Sequence, residues 1–219
     1  MNRSSYGHLK LAQKMVDQQL RARGIRDPAV LEVMGRIARH QFVPQLPLSE
    51  AYADRALPTA EGQTISQPYM VAVMTEQLRV RTGLKVLEVG TGSGYQAAIL
   101  AQLGVRVVSI DRSEYLAKRA SDLLRRLGWA IRVQVVTGDG TLGYQSQAPY
   151  DRILVTAGAP HLPQAYREQL ANDGRIVIPI GTRQDQTLVI VDRHGDQWHS
   201  RSSTRCRFVP LVGEDGWSE

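Results

Sequence analysis

Between residues 84 and 192, short β-prone apolar runs alternate with longer segments of helical periodicity, and this alternation sets the expected fold. Strands are expected at 84–89, 105–110, 132–136, 151–156, 174–179 and 186–192, with helices at 94–103, 114–127 and 163–171. Strand and helix repeated in this order need right-handed crossovers, which gives an α/β fold with a doubly wound, mostly parallel sheet. A last strand at about 206–212 is expected to close it. Upstream, Leu9, Ala12, Met15, Val16 and Leu20 share one face of a helix over 8–23, and Asp27-Pro28 opens a second helix through Ile37. The segment Arg39-His40-Gln41-Phe42-Val43-Pro44 ends this helical addition at a proline. Periodicity then fades from Leu46 to Pro68, a long irregular stretch of the sort that compact domains retain for function. Pro68 starts a further helix that carries Met70, Val71, Val73, Met74 and Leu78.

Composition narrows the setting. The 219 residues suffice for one well-buried α/β domain, and 42% hydrophobic with 22% charged residues is ordinary for a globular chain. No apolar run approaches the roughly 20 residues that span a bilayer, and the first thirty residues lack an apolar core of signal-peptide type. The single cysteine, Cys206, cannot form an internal disulfide and fits a reducing compartment, so a cytoplasmic protein is expected, without a membrane partner. A net charge of +6 and a pI near 9.7 keep nucleic acid open as a partner. The arginines are dispersed among acids, however, and the densest basic stretch, Arg201 to Arg207, lacks interleaved aromatics. That stretch reads as a solvated surface, and no nucleic acid is expected.

Candidate chemistry concentrates after the first strand, at Glu88-Val89-Gly90-Thr91-Gly92-Ser93-Gly94-Tyr95. Glycines between a strand and a helix let backbone N–H groups approach a ligand. The spacing is not the dinucleotide fingerprint G-x-G-x-x-G, and no Lys-Ser/Thr follows to make a phosphate-cradling loop. Glu88, an acid two residues before the first glycine, suits a cationic ligand such as the sulfonium and amine of S-adenosylmethionine better than a pyrophosphate. In a doubly wound sheet ligands sit at the carboxyl ends of strands. There, Asp111 can accept from both hydroxyls of a ribose, and Asp139, between Gly138 and Gly140, can reach an adenine amino group. Each acid alone could equally be a turn or helix cap. Thr156-Ala157-Gly158-Ala159-Pro160 forms a small-residue lip after strand four. The five histidines show no metal-ligand spacing, so no metal is expected, and Cys206 reads as a small apolar residue in a β-prone stretch.

Several blocks together resemble one family. Ala51-Tyr52-Ala53-Asp54-Arg55-Ala56-Leu57-Pro58, Gly62-Gln63-Thr64-Ile65-Ser66-Gln67-Pro68-Tyr69-Met70, Phe42-Val43-Pro44, Gly138-Asp139-Gly140, Ala148-Pro149-Tyr150-Asp151 and Phe208-Val209-Pro210-Leu211 look like the signature of protein-L-isoaspartate O-methyltransferases. The glycine motif marks the wider superfamily that uses S-adenosylmethionine, whereas Thr64-Ile65-Ser66-Gln67-Pro68 is the family-specific part. The resemblance runs from about Met15 to Leu211 and implies a Rossmann-like methyltransferase that repairs aged proteins. Methyl would pass from S-adenosyl-L-methionine to the free carboxylate of an L-isoaspartyl or D-aspartyl residue, leaving S-adenosyl-L-homocysteine. The ester would then close to a succinimide.

The resemblance also implies roles. Ser66 matches the active-site serine. Thr64, Ile65, Glu88, Gly90, Thr91, Gly92, Ser93, Gly94, Asp111, Asp139 and Gly140 match the cofactor site, and Gln67, Tyr69, Val209 and Pro210 the peptide site. Val212 stands where some relatives carry Thr, and residues 213–219 match nothing usable. Residues 1–79 are expected to supply the helices and acceptor loop, packed on a cofactor-binding core of 80–219, as a monomer acting on isoaspartyl peptides and proteins. A carboxylate is already ionised at neutral pH, so its methylation needs no general base, which agrees with the absence of a His-Asp or Cys-His pair. Two other readings compete. A nucleic-acid methyltransferase would carry an Asn/Asp-Pro-Pro-aromatic motif where Thr156 to Pro160 stands, and a binding module without turnover would not need Ser66, Asp111 and the glycines intact.

Overall fold

The computed structural model describes residues 3–218; Met1, Asn2 and Glu219, which the expected segments 1–79 and 80–219 include, lie outside the described residues. A seven-stranded sheet forms from β3 (Lys85–Val89), β4 (Arg106–Asp111), β5 (Val133–Thr137), β6 (Tyr150–Val155), β7 (Leu170–Gly181), β8 (Gln186–His194) and β9 (Gln197–Cys206), in the order β5-β4-β3-β6-β7-β8-β9. β5, β4, β3, β6 and β7 are mutually parallel, while β8 and β9 run antiparallel to their neighbours. The chain lays down β3, β4 and β5 outward in one direction and then returns to β6 on the other side of β3. This reversal makes a crevice above β3, where ligands of such sheets bind.

Both faces of the parallel strands are buried, which is why their sequences read as continuous apolar runs. Val86, Val107, Leu154 and Val177 point into one core, and their chain neighbours Leu87, Val108, Ile153 and Ile176 into the other. The first core is shared with α1 (Arg3–Met15), α2 (Pro28–Arg36), α4 (Pro68–Leu78) and α5 (Tyr95–Gln102), so Val16, Leu20 and Met34 pack in the same cluster as Ala97 and Ile99. The second lies beneath α7 (Gln164–Gln169) through Tyr166. α6 (Glu114–Arg126) begins at Ser113, whose side chain accepts from Leu116 N, and α2 begins at Asp27, which accepts from Ala29 N and Val30 N.

Several expected boundaries shift. The helix expected over 8–23 ends as α-helix at Met15 and continues as a π-turn, Val16–Leu20, and a 3-10 turn, Arg21–Arg23, closed by Gly24 in the left-handed region. The irregular stretch contains the short helix α3 (Leu48–Ala51) and a small hairpin of β1 (Leu57–Pro58) and β2 (Thr64–Ile65). The expected helix at 163–171 stops at Gln169, since β7 already starts at Leu170 with an irregular register around Tyr150 and Arg152.

The last strand is misplaced in the sequence reading. The strand paired with β8 is Gln197–Cys206, whereas 208–212 crosses the strand ends, with Gly158 N donating to Val209 O and Leu211 N donating to Gly158 O, both at 2.8 Å. β9 is an edge strand of mostly exposed polar residues and lacks an apolar alternation. Phe208 and Leu211 are apolar because they are buried against the sheet end and not because they belong to a strand. Among the described residues no helix is long and apolar enough to cross a membrane.

Candidate active site

β3 runs into a turn in which Gly90 and Gly92 adopt φ of 94° and 52°, the left-handed region that favours glycine. Gly90 has a second constraint. A Cβ there would lie 2.4 Å from Thr156 Oγ1, whose hydroxyl donates to Gly90 O at 2.7 Å and to Val89 O at 3.0 Å. Thr156, first residue of the expected lip, therefore clamps the turn to β6. Gly94 serves packing, since a Cβ would press on Ala120 and Leu124 of α6.

Glu88 is where the structure departs from the expectation of a carboxylate facing a cationic ligand. Its side chain is fully buried behind the turn and does not line the cavity above it. Oε2 accepts from Ser109 Oγ at 2.6 Å, and Ser109 Oγ lies 2.7 Å from Thr91 Oγ1. Burial pushes the carboxyl up to about 8, which favours the protonated form at neutral pH. Glu88, Ser109 and Thr91 thus form a polar chain that holds the glycine turn from below.

Asp111 closes β4 and is at the expected place. Oδ2 accepts from Gly92 N at 2.8 Å and Oδ1 from Ser113 N at 3.0 Å, so the carboxylate links the glycine turn to the start of α6 on the cavity wall. Asp139 is placed differently from expectation: it does not line the cavity, although Gly140 does. Its Oδ1 accepts from Thr141 N and Thr141 Oγ1 at 2.9 and 2.7 Å, and its Oδ2 from Glu214 N at 2.8 Å. Burial alone would raise this carboxyl, but the donors from Glu214 and Thr141 outweigh it and hold the group below the usual carboxylate range. The tail, silent in the sequence, is docked here: Trp217 Nε1 donates to Gly158 O at 3.0 Å, and Asp215 meets His161 Nε2 at 2.7 Å. Gly140 O accepts from the buried Tyr166 hydroxyl at 2.9 Å.

The opposite wall comes from the β2–α4 connection. Thr64, Ile65, Ser66, Gln67 and Tyr69 all line a cavity of about 390 Å³ that Gly90, Thr91, Gly92 and Ser93 also line. Among the described residues Ser66 Oγ has no hydrogen-bond partner, and the residue capping α4 is Gln67, whose side chain makes no bond to the helix N-terminus. Capping is therefore not what occupies the Ser66 hydroxyl. Gln67 Nε2 donates to Asp54 Oδ1 at 2.8 Å, and Asp54 Oδ2 pairs with Arg23 at 3.0 Å. The Arg23 guanidinium in turn stacks 3.6 Å from the Tyr69 ring centroid. Val209 and Pro210 form the third wall, bridged to Gly158.

The sequence reading missed Arg39. It is wholly buried, and among the described residues it has no carboxylate partner. Nε donates to Ala51 O at 2.8 Å, Nη2 donates to Ser66 O at 2.7 Å, and the guanidinium lies 4.8 Å from the Tyr95 ring centroid. Among the described residues Nη1 and the Tyr95 hydroxyl are both buried and meet no hydrogen-bond partner at normal distance, so the two groups chiefly face each other. The available signal was an arginine set between two apolar pairs, Ile37-Ala38 and Phe42-Val43. Arg205 and Arg207, expected as solvated surface, also line the cavity, as does Cys206, whose thiol burial pushes up to about 11 and so keeps unreactive.

Among the described residues no histidine, lysine or glutamate lines this cavity, and Asp111 is committed to two backbone N–H groups. An acceptor held here must arrive already nucleophilic. On the donor side, a Cβ at Gly92 would meet nothing within 4 Å, so the turn presents bare backbone to the cavity, and the volume lies in the range of small-molecule sites. These walls fit an adenosyl group over the β3 and β4 ends. Among the described residues no group of three or more His, Cys, Asp or Glu is placed to hold a metal ion.

Comparison with known proteins points to one family. The family model "Protein-L-isoaspartate(D-aspartate) O-methyltransferase (PCMT)" matches residues 10–216. Protein-L-isoaspartate O-methyltransferases of Methanoregula boonei and Methanoculleus marisnigri are 50% and 52% identical, each over 94% of this chain and over 94% and 93% of their own length. A solved protein-L-isoaspartate O-methyltransferase superposes with a TM-score of 0.83 at 29% identity, covering 93% of this chain and 67% of that one. A Plasmodium falciparum structure in complex with S-adenosyl-L-homocysteine shares the fold, with a TM-score of 0.80 at 22% identity over 92% and 98% of the two chains.

Proposed function

The chain belongs to the protein-L-isoaspartate(D-aspartate) O-methyltransferase family, and we propose that the reaction runs between Ser66 and the glycine turn of β3. The enzyme transfers a methyl group from S-adenosyl-L-methionine to the free carboxylate of L-isoaspartyl and D-aspartyl residues in damaged proteins, which starts their repair through a succinimide. The observation that carries the site assignment is that Ser66, its hydroxyl unpartnered among the described residues, lines the same cavity as the bare glycine turn, with no histidine, lysine or glutamate among the described lining residues.

S-adenosylmethionine supplies an electrophilic methyl on a sulfonium when bound. Gly90, Thr91, Gly92, Ser93 and Asp111 would hold it, with Thr64, Ile65 and Gly140 completing the walls. Glu88 and Gly94 act from behind, through Ser109 and through α6. Asp139 acts by fixing the tail and the Gly140 turn. Ser66 Oγ donates a hydrogen bond to one oxygen of the acceptor carboxylate and aims the other along the line of transfer. Since the carboxylate is ionised at neutral pH, alignment and exclusion of water are what the protein must provide. Arg39, holding Ser66 O, sets where the hydroxyl stands. Gln67, Tyr69, Val209 and Pro210 border the peptide side.

The segment that precedes β3 thus supplies most of the acceptor side, joined there by Val209 and Pro210, and the ends of β3 and β4 supply most of the donor side. The protein works as a cytoplasmic monomer with neither membrane nor nucleic acid as a partner, a reading supported by the lone unreactive Cys206 and by arginines gathered at a cavity without a stacking platform. A labelled-methyl assay tests the whole reading. An isoaspartyl peptide should accept label while its normal-aspartyl twin, RNA and DNA do not, and label on the twin or on nucleic acid would reject it. Gel filtration should give a mass near 24.3 kDa.

A further inference from the structure

Three arginines, Arg23, Arg205 and Arg207, line the cavity beside the peptide walls, and among the described residues Asp111 is the carboxylate that lines it. That carboxylate faces backbone N–H groups of the donor wall. Arginine therefore outnumbers acid among the side chains that line the acceptor mouth. Arg23 sits over Tyr69 on one flank. Arg205 and Arg207 sit on the other, just before the Val209-Pro210 wall. Arg23 pairs with Asp54 at 3.0 Å and Arg205 with Asp185 at 2.7 Å, both pairs open to solvent. Arg207 is exposed, and among the described residues it makes no ion pair.

Exposed pairs of this kind exchange partners at little cost, so their guanidinium groups can take a carboxylate from an incoming chain. Charges arranged around a mouth also act before contact, steering complementary partners and rejecting like-charged ones. Nucleic acid fits less well. The Tyr69 ring is covered by Arg23, and Tyr95 and Phe208 are buried, so among the described residues lining the cavity no aromatic face is open for a base to stack on.

Resting on the methyltransferase reading above, we propose that this mouth selects damaged sites by charge, so that isoaspartyl residues flanked by Asp or Glu are methylated in preference to those flanked by Lys or Arg. Arg207, with no acid of its own, is the main selector, and Arg205 and Arg23 add to it.

The test uses three isoaspartyl peptides identical except for two residues on each side of the site, which are Glu, Ser or Lys. In the wild-type enzyme kcat/KM should rank Glu above Ser above Lys, with about two- to fivefold for each favourable pairing. The Glu-to-Lys ratio should shrink as salt rises from low ionic strength to 1 M, where the Debye length falls to about 3 Å. It should also fall in Arg207→Gln and approach or pass one in Arg207→Glu. A ratio near one in the wild type, or one unmoved by Arg207→Glu, would overturn the proposal. So would a short oligonucleotide that inhibits methylation more strongly than the normal-aspartyl twin of the Glu-flanked peptide. Methylation of none of the three peptides would instead reject the methyltransferase reading, and this inference with it.

Discussion

Arg39 Nη2 donates to the carbonyl of Ser66 at 2.7 Å while its Nε donates to the carbonyl of Ala51 at 2.8 Å, so one buried guanidinium ties the active-site connection to α3. A lysine has the charge but not the planar fork, and cannot reproduce both bonds at these directions. Arg39→Lys and Arg39→Gln should therefore lower kcat about tenfold or more, through misplacement of Ser66. In a Ser66→Ala background the same changes should cost much less, because the hydroxyl they misplace is gone. Additive losses across this double-mutant cycle would show that Arg39 acts on stability alone.

Ser66→Ala itself should reduce kcat by about ten- to hundredfold, the worth of one hydrogen bond to a charged group. Affinity for S-adenosylhomocysteine, measured by calorimetry, should stay within about twofold, since the donor wall is built from β3 and β4. Unchanged turnover would remove Ser66 from the mechanism.

Glu88 gives a pH signature. Its folded carboxyl titrates at about 8 against an ordinary 4.5, so the protonated form stabilises the fold. That contribution is complete below the ordinary value and is lost as pH rises through about 8. Glu88→Gln cannot ionise and keeps an acceptor for Ser109 Oγ. Its melting temperature should match the wild type near pH 5 and exceed it near pH 8. Parallel curves for the two proteins would refute this.

Gly90→Ala should destabilise by about 2–4 kcal/mol, adding the cost of a positive φ to a clash with Thr156 Oγ1. Thr156→Ala removes the clashing oxygen but not the backbone strain. The double variant should therefore be less damaged than the sum of the singles, as chemical denaturation would read directly.

Much of this architecture was legible because parallel strands buried on both faces announce themselves: Val86-Leu87 and Val107-Val108 are apolar on successive positions, each facing a different core. β9 was not, since an edge strand held by backbone bonds to β8 needs no apolar alternation. For the site, residue types were readable and side-chain directions were not. Asp111, expected to meet a ribose, lines the cavity with its oxygens on Gly92 N and Ser113 N, whereas Glu88 and Asp139, also carboxylates near glycines, turn to Ser109 and to Glu214. Arg39 was hidden for a different reason. Its partners are backbone carbonyls 12 and 27 residues away, and carbonyls leave no mark in a sequence.

The polar character of β9 has a further effect. The sheet ends in β5 on one side and β9 on the other, and a free strand edge is a template on which foreign extended chains can assemble. Clients of a repair enzyme are aged and partly unravelled, the very polypeptides most prone to such zippering. With Arg201 and Arg205 along β9, each added strand would have to cover charged side chains that now stand in solvent, which disfavours such zippering at this edge.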